Sequence, residues 1–193
     1  MLLIVPHLDD ETFSFGSYIL NRNPDDNLVF KIPCKHIFEY KQIDSDLLIT
    51  VMCSGGKHNK NDRLNAFRKN CKAFKASYII FDFDDENMYK YPVPTYVDLM
   101  YELFEGTNKL DVCTVSENDL HQEHFLVSRI TKIACKKYYD KVNSLLEFKQ
   151  PMHNFDLSEY PYTVKENPLK AKLCANYNTE TQPSMNEYYR KLK

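Results

Sequence analysis

Leu2-Leu3-Ile4-Val5-Pro6-His7-Leu8-Asp9-Asp10-Glu11 opens the chain: an apolar run ended by proline, then a polar stretch rich in acids. Consecutive apolar residues without alternation read as a short strand covered on both faces, because a strand with one wet face would alternate. Beyond it, Glu11–Asn21 carries Phe13, Phe15, Ile19 and Leu20. This segment reads as a helix that opens on acidic residues, where the helix dipole favours them.

The same succession recurs along the chain. Leu47–Cys53 (LLITVMC) is a second buried strand, ended by Ser54-Gly55-Gly56 and the polar loop Lys57–Asp62. Asp62 is placed to cap a helix over Arg63–Lys75, with Leu64, Phe67, Cys71 and Phe74 at helical spacing. Tyr78–Phe83 is a third strand, followed by the acidic loop Asp84–Asn87 and a helix over Tyr96–Phe104. Leu110–Val115 is a fourth, and the polar loop Ser116–Glu123 leads into a long helix reaching about Tyr139. Weaker strands are expected near Ser144–Phe148 and Phe155–Leu157, and a late helix over Pro168–Tyr177. Asn23–Ser45 is irregular, with Leu28–Ile32 and Ile37–Tyr40 forming a hairpin or an excursion, and Tyr188–Lys191 either docks or stays mobile.

Four strand–helix alternations with continuously apolar strands specify the α/β class: a three-layer Rossmann-like sandwich with a mainly parallel sheet. Ligands of such sheets sit beyond the carboxyl ends of the strands, so the site is expected there. No linker, repeat or composition break divides residues 1–193, which therefore read as a single domain.

Composition removes several classes of function. The chain has 193 residues, with 25 Lys+Arg against 27 Asp+Glu, too even a balance for a protein that holds nucleic acid mainly by charge. Its four glycines, Gly16, Gly55, Gly56 and Gly106, form neither a GxGxxG fingerprint nor a P-loop. Gly106 reads as a helix C-cap. No apolar run approaches the length of a membrane span, and the short apolar start lacks the basic region of a signal peptide. The chain is thus expected in the cytoplasm. Cys34, Cys53, Cys71, Cys113, Cys135 and Cys174 include no CxxC pair, so they read as free thiols and not as a four-cysteine zinc site. The many Asn, Lys and Tyr residues fit an AT-rich genome, such as that of a phage or a low-GC host.

Two strand-end loops concentrate the chemistry. The loop after the first strand holds His7, Asp9, Asp10 and Glu11; the loop after the fourth holds Asp119, His121 and His124. A catalytic divalent metal takes about three protein ligands from His and carboxylate and keeps an open position for water. His7 and Asp10, three apart at a strand–helix junction, can converge on one ion, which turns Asp9 toward the water. His121 and His124 are likewise three apart at a helix start, so one can bind metal while the other faces the substrate. Taken singly, an Asp-Asp pair after a strand is a helix-start feature and an HxxH a packing feature; their joint placement is what points to metal. His36, His58 and His153 lack partners at ligand spacing and read as surface or packing residues, and Lys57–Lys60 and Lys69–Lys75 as solvated faces.

His7-Leu8-Asp9-Asp10-Glu11, with Gly16 five residues on, resembles the (A/P)HPDDE…G signature of the LmbE-like/PIG-L family of metal-dependent N-acetylglucosamine de-N-acetylases. Asp119-Leu120-His121-Gln122-Glu123-His124 resembles the family's second signature, DxHxDH. Weaker likenesses follow in family order: Cys53-Ser54-Gly55-Gly56 at the T-x-G loop, Arg63 at R-x-x-E, and Phe83-Asp84-Asp85 at an Asp-Gly turn. Phe155-Asp156-Leu157-Ser158 with Lys172 and Gln182 resembles the closing segment.

The resemblance implies roles residue by residue. His7, Asp10 and His124 would bind Zn²⁺, with Fe²⁺ or Mn²⁺ as substitutes. Asp9 would be the general base, and His121 would stabilise the oxyanion and protonate the leaving amine. Arg63 and Asp85 would contact sugar hydroxyls. Glu11 would orient a metal ligand or serve only as a first-turn acid. The implied partner is a small amino-sugar substrate bearing an N-acetyl group.

The chain departs from the pattern at Leu8 for proline, Gln122-Glu123 for Pro-Asp, Ala66 for the glutamate of R-x-x-E, and Glu86 for the glycine of the Asp-Gly turn. These changes bear on substrate recognition, as does the long Pro24–Asp44 excursion, a candidate substrate wall. Two other readings stay open: the same metal chemistry on a sugar-modified nucleotide or nucleic acid, and a non-catalytic binding protein that keeps the fold.

Overall fold

The computed structural model describes residues 1–24, 26–55, 59–108, 110–150, 156–177 and 186–193. Gly56, Lys57, His58, His153, Phe155 and Gln182, which entered the sequence reading, lie outside the described residues.

Among the described residues, eight strands form one mixed sheet in the order β2-β4-β3-β1-β5-β6-β8-β7. The strands are β1 (Leu2–Val5), β2 (Ile37–Lys41), β3 (Leu48–Cys53), β4 (Ser77–Phe83), β5 (Leu110–Val115), β6 (Val142–Phe148), β7 (Tyr162–Val164) and β8 (Glu187–Lys191). The five central strands, β4-β3-β1-β5-β6, are parallel to one another, as the apolar runs required. Every residue of β1 and β3 is buried, which demands cover on both faces.

That cover comes from α1 (Asp10–Phe13), α2 (Gly16–Asn21), α3 (Lys60–Phe74), α4 (Val93–Glu105), α5 (Gln122–Lys137) and α6 (Leu169–Cys174). α4 packs on α5, while α6 packs on α1 and α2, and the 3-10 turn Ala175–Tyr177 packs on α3. Among the described residues the core forms one cluster reaching from Leu2 to Tyr177. No helix among the described residues is long and apolar enough to cross a membrane.

The chain leaves β1 toward β3 and β4 on one side, and β5 leads to β6 on the other. β1 and β5 are direct neighbours. The crevice beyond their carboxyl ends is therefore the topological switch point, where ligands of open α/β sheets bind. Both sequence motifs leave from this pair of strands.

Several local expectations change. The single helix expected over Glu11–Asn21 is broken at Ser14-Phe15 into α1 and α2. The cause lies at the far end of the chain: the Glu187 carboxylate accepts the backbone N–H groups of Ser17 (2.6 Å) and Tyr18 (2.8 Å), capping a fresh helix start. The buried Lys170 ammonium pairs with Glu187 at 2.8 Å and donates to the Phe13 carbonyl at 2.9 Å, closing the end of α1. Gly16 leaves room for this, since a Cβ there would meet Lys170 Cγ at 3.1 Å.

Asp62 does not cap α3, which starts at Lys60; Asn59 stands before it at φ 55, a left-handed conformation asparagine tolerates. Asp62 instead sits in the first turn, still favourable to the dipole. Of the alternatives for Asn23–Ser45, Leu28–Ile32 is irregular and Ile37–Lys41 is an antiparallel edge strand on β4. Leu157 falls in a 3-10 turn, Leu157–Glu159, because the Asp156 side chain takes the Ser158 N–H at 2.9 Å. Tyr188–Lys191 docks as β8 between β6 and β7. Gly106 does cap α4, at a right-handed φ of -76.

Candidate metal centre

His7, Leu8 and Asp9 form the turn after β1, and Asp10 is the first residue of α1. Across the crevice, the Asp119–His121 loop leads from β5 into α5, which carries His124 in its first turn. The Asp10 carboxylate is fixed from two sides. Its Oδ2 accepts the His7 backbone N–H at 3.0 Å, and its Oδ1 accepts the Gln150 side-chain amide at 2.5 Å. Gln150 is held in turn by Ser14 Oγ at 2.7 Å.

Three donor atoms from the two motifs converge. His7 Nδ1 lies 3.3 Å from Asp10 Oδ2 and 3.2 Å from His124 Nε2, and His124 Nε2 lies 3.5 Å from Asp10 Oδ2. A tetrahedral ion with bonds of about 2.0–2.2 Å spaces its ligands by about 3.3–3.6 Å. The spacing and the donor types, two imidazoles and one carboxylate, thus suit a divalent metal with a free coordination position.

The outward nitrogens of both rings are pinned, which sets their tautomers. Asp119 Oδ2 takes His124 Nδ1 at 2.7 Å while Asp119 Oδ1 takes the His121 backbone N–H at 2.8 Å. This leaves the His124 Nε2 lone pair facing the crevice. His7 Nε2 contacts two carboxylates, Glu123 Oε2 at 2.6 Å and Asp85 Oδ1 at 3.2 Å. Glu123 is itself anchored by the Met88 backbone N–H at 3.0 Å.

Electrostatics agree with a cation site. Burial alone would lower the His7 pKa, but the hydrogen-bonded carboxylates of Asp10 and Glu123 push it up to about 10. Burial raises Asp10, yet the neighbouring His124 and His7 hold it well below the usual carboxylate range. Asp9, Asp10, Asp85, Asp119 and Glu123 all lie against these rings or Arg63, so carboxylates outnumber the one guanidinium and the cluster favours positive charge.

Asp9 and His121 flank the three donors. Burial and the Asp10 charge raise the Asp9 carboxyl, opposed by Arg63, whose Nη2 lies 2.6 Å from Asp9 Oδ2. His121 is half-buried, its ring centroid 4.9 Å from that of His7 and 5.0 Å from that of His124. Its Nδ1 accepts the Glu123 backbone N–H at 3.3 Å, so Nε2 carries the proton in the neutral ring. Burial lowers the His121 pKa, and the charges of His7 and His124 lower it further.

Donor atoms of His7, His121 and His124 lie within 4.8 Å of one another, as do those of His7, Cys53 and Glu123. Burial pushes the Cys53 thiol well up, so it is no ready thiolate.

Arg63 and Asp85 are in the crevice as well, joined by an ion pair of 3.3 Å. Glu11 is not part of the constellation. It is buried in the first turn of α1 and turned to Thr12 Oγ1 at 2.7 Å and to the Tyr177 hydroxyl, so of its two readings the structure leaves the first-turn acid. His36 stacks on Phe83, as a packing histidine would.

Two positions were beyond the sequence reading. In the sequence Glu123 reads only as a replacement in the second motif, and its place directly before His124 is the one signal that points to it. Gln150 carried no signal, being 140 residues from the carboxylate it holds.

A family model described as PIG-L, GlcNAc-PI de-N-acetylase, matches residues 2–135, a span that includes both motifs. The chain belongs to the PIG-L family. Among solved structures, this PIG-L member resembles the A40926 pseudoaglycone deacetylase Dbv21, with TM-score 0.59 and 13% identity over 91% of this chain and 80% of that one. It resembles the conserved protein TT1542 from Thermus thermophilus, with TM-score 0.58 and 16% identity over 92% and 78%. It also resembles GalB, the 4-carboxy-2-hydroxymuconate hydratase from Pseudomonas putida, with TM-score 0.57 and 12% identity over 100% and 95%. At these identities the likeness is one of fold, and the fold serves more than one reaction. No curated protein is significantly similar to the chain.

Proposed function

We propose that this PIG-L member is a metal-dependent N-deacetylase that removes an acetyl group from an N-acetylated amino sugar or its conjugate. The carrying observation is the convergence of His7 Nδ1, Asp10 Oδ2 and His124 Nε2 within 3.2–3.5 Å at the switch point, flanked by Asp9 and His121.

His7, Asp10 and His124 hold the metal in this reading. Two imidazoles and a carboxylate suit Zn²⁺, and also Fe²⁺ or Mn²⁺. When bound, the ion lowers the pKa of a water toward about 7 and polarises the acetyl carbonyl. Asp9 takes the proton from that water on Oδ1, the oxygen Arg63 leaves open. The His121 Nε2–H donates to the oxygen on which negative charge develops. The proton that lets the amine leave is the one Asp9 has taken from the water, since the neutral His121 ring, with Nδ1 tied to a backbone N–H, has no second proton to give. Asp119 and Glu123 hold the two ligand rings in orientation throughout.

The proposal takes residues 1–193 as one deacetylase domain acting in the cytoplasm. The deciding experiment loads the purified chain with Zn²⁺ and measures acetate release from N-acetylglucosamine conjugates and from nucleotide-linked N-acetyl sugars. Release from either panel, lost in Asp9→Asn, supports deacetylation and separates the two substrate readings. Zinc bound in stoichiometric amount with no release from any of them would favour the binding-protein reading.

A further inference from the structure

Arg63 stands in the first turn of α3, and its two terminal nitrogens go to two different carboxylates. Nη2 meets Asp9 Oδ2 at 2.6 Å, and Nη1 meets Asp85 Oδ2 at 3.3 Å. The second oxygen of Asp85, Oδ1, lies 3.2 Å from His7 Nε2. A continuous polar chain therefore runs from Asp9 through Arg63 and Asp85 to His7. Among the described residues Asp9 Oδ1 makes no hydrogen bond, so Arg63 occupies one oxygen of the carboxylate and leaves the other open.

The position is built for a planar fork. A guanidinium spans two acceptors at fixed geometry, whereas an ammonium is a single point charge on a flexible stem. Ala66, one helical turn beyond Arg63, is buried and offers no acceptor, so nothing on that turn competes for the guanidinium. The Arg63 side chain is 27% exposed, against 16% for Asp9 and 11% for Asp85, so the fork covers the two acids from the solvent side.

From this geometry we propose that Arg63 is a positioning residue for Asp9. It fixes the carboxylate so that Oδ1 alone takes the proton of the attacking water, and it keys that orientation to the His7 ring through Asp85. This deepens the deacetylase reading and rests on it. It goes beyond the sugar-hydroxyl contact expected of Arg63, because both Nη groups are already committed to carboxylates.

The two roles separate in kinetics. A positioning role puts the loss in kcat: Arg63→Gln lowers kcat by about 100-fold with KM changed by less than about 3-fold, the scale of a misplaced reacting group. Arg63→Lys, which keeps the charge but reaches only one carboxylate, falls between. Bound zinc stays at the wild-type ratio in both variants, since His7, Asp10 and His124 are intact. A rise in KM with kcat preserved would assign Arg63 to substrate contact and overturn the proposal.

A second readout needs no turnover. In urea unfolding of the zinc-loaded protein, Arg63→Gln and Asp9→Asn are combined in a double-mutant cycle. Non-additive midpoint shifts, with the double variant no worse than the poorer single one, are expected if the pair holds Asp9. Additive shifts would overturn the proposal even if no substrate were ever turned over. Failure of the deacetylase reading appears differently, as wild-type protein that releases no acetate while the coupling is intact.

Discussion

His7 Nε2 lies 2.6 Å from Glu123 Oε2, so the ring that turns Nδ1 toward Asp10 and His124 is held from behind by a buried carboxylate. The pair joins the two motifs across 116 residues of sequence. A carboxylate behind a ligating imidazole sets its tautomer and raises its basicity, typically at 10–100-fold in metal affinity. Glu123→Gln is accordingly expected to weaken zinc binding about 10- to 100-fold, read by competition with a chromophoric chelator. Glu123→Asp, one methylene shorter, is expected to recover only part. Unchanged affinity in Glu123→Gln would show that the contact does not tune the ligand.

The metal ligands and the base separate cleanly by assay. His7→Ala and His124→Ala are expected to purify with little zinc and no activity. Asp9→Asn is expected to retain zinc at the wild-type ratio while kcat falls by at least about 100-fold. Elemental analysis beside an acetate assay reads both. Full zinc occupancy in His124→Ala would remove His124 from the ligand set.

His121 has its Nδ1 tied to the Glu123 backbone, which puts the proton of the neutral ring on Nε2. Loss of one donor to a developing oxyanion costs about 10²–10³ in kcat. His121→Ala is expected to lose that much with zinc content intact. A variant that instead lost its metal would make His121 a ligand, the arrangement in which all three histidines bind one ion.

Glu11 gives a prediction about stability. Burial raises its carboxyl pKa from 4.5 to about 8, opposed by the hydrogen bonds from Tyr177 and Thr12. The folded form therefore keeps a proton that the unfolded chain releases above pH 4.5. With more protons bound in the folded state, stability is greatest below that pH and declines as the pH rises toward 8. The full span of this shift is on the order of 3–5 kcal/mol. Glu11→Gln keeps the acceptor for Tyr177 and Thr12 but cannot ionise. Its melting temperature relative to wild type is expected to rise by at least about 5 °C between pH 5 and pH 8.5. A constant difference across that range would show that Glu11 is not protonated in the fold.

Zinc removal should also be visible without turnover. An ion bound by the folded chain and not by the unfolded one stabilises by mass action. Chelation is expected to lower the melting temperature, and zinc to restore it. His7→Ala is expected to melt at the same temperature with and without chelator.

The parallel core was legible because it is written locally. The runs Leu2–Pro6, Leu47–Cys53, Tyr78–Phe83 and Leu110–Val115 are apolar almost throughout, without the alternation of a half-wet strand, and acids and histidines follow in the loops after the first and the last of them. His7 with Asp10 and His121 with His124 are three residues apart, so backbone geometry at a strand end already brings each pair together. The PIG-L resemblance rested on those same short stretches.

What the tertiary structure alone decided lies at long range. That β1 and β5 are neighbours, which puts the two motifs on one crevice, is a fact of strand order. Glu187 caps α2 from 170 residues away and breaks a helix whose own sequence runs on. Gln150 and Arg63 reach the two aspartates of the first motif, Asp10 and Asp9, from 140 and 54 residues away. Periodicity and propensity describe a residue's neighbours in the chain, within about a turn of helix or a strand's length. Which distant side chain satisfies a buried carboxylate is settled only when packing brings the groups together and an unpaired alternative becomes too costly.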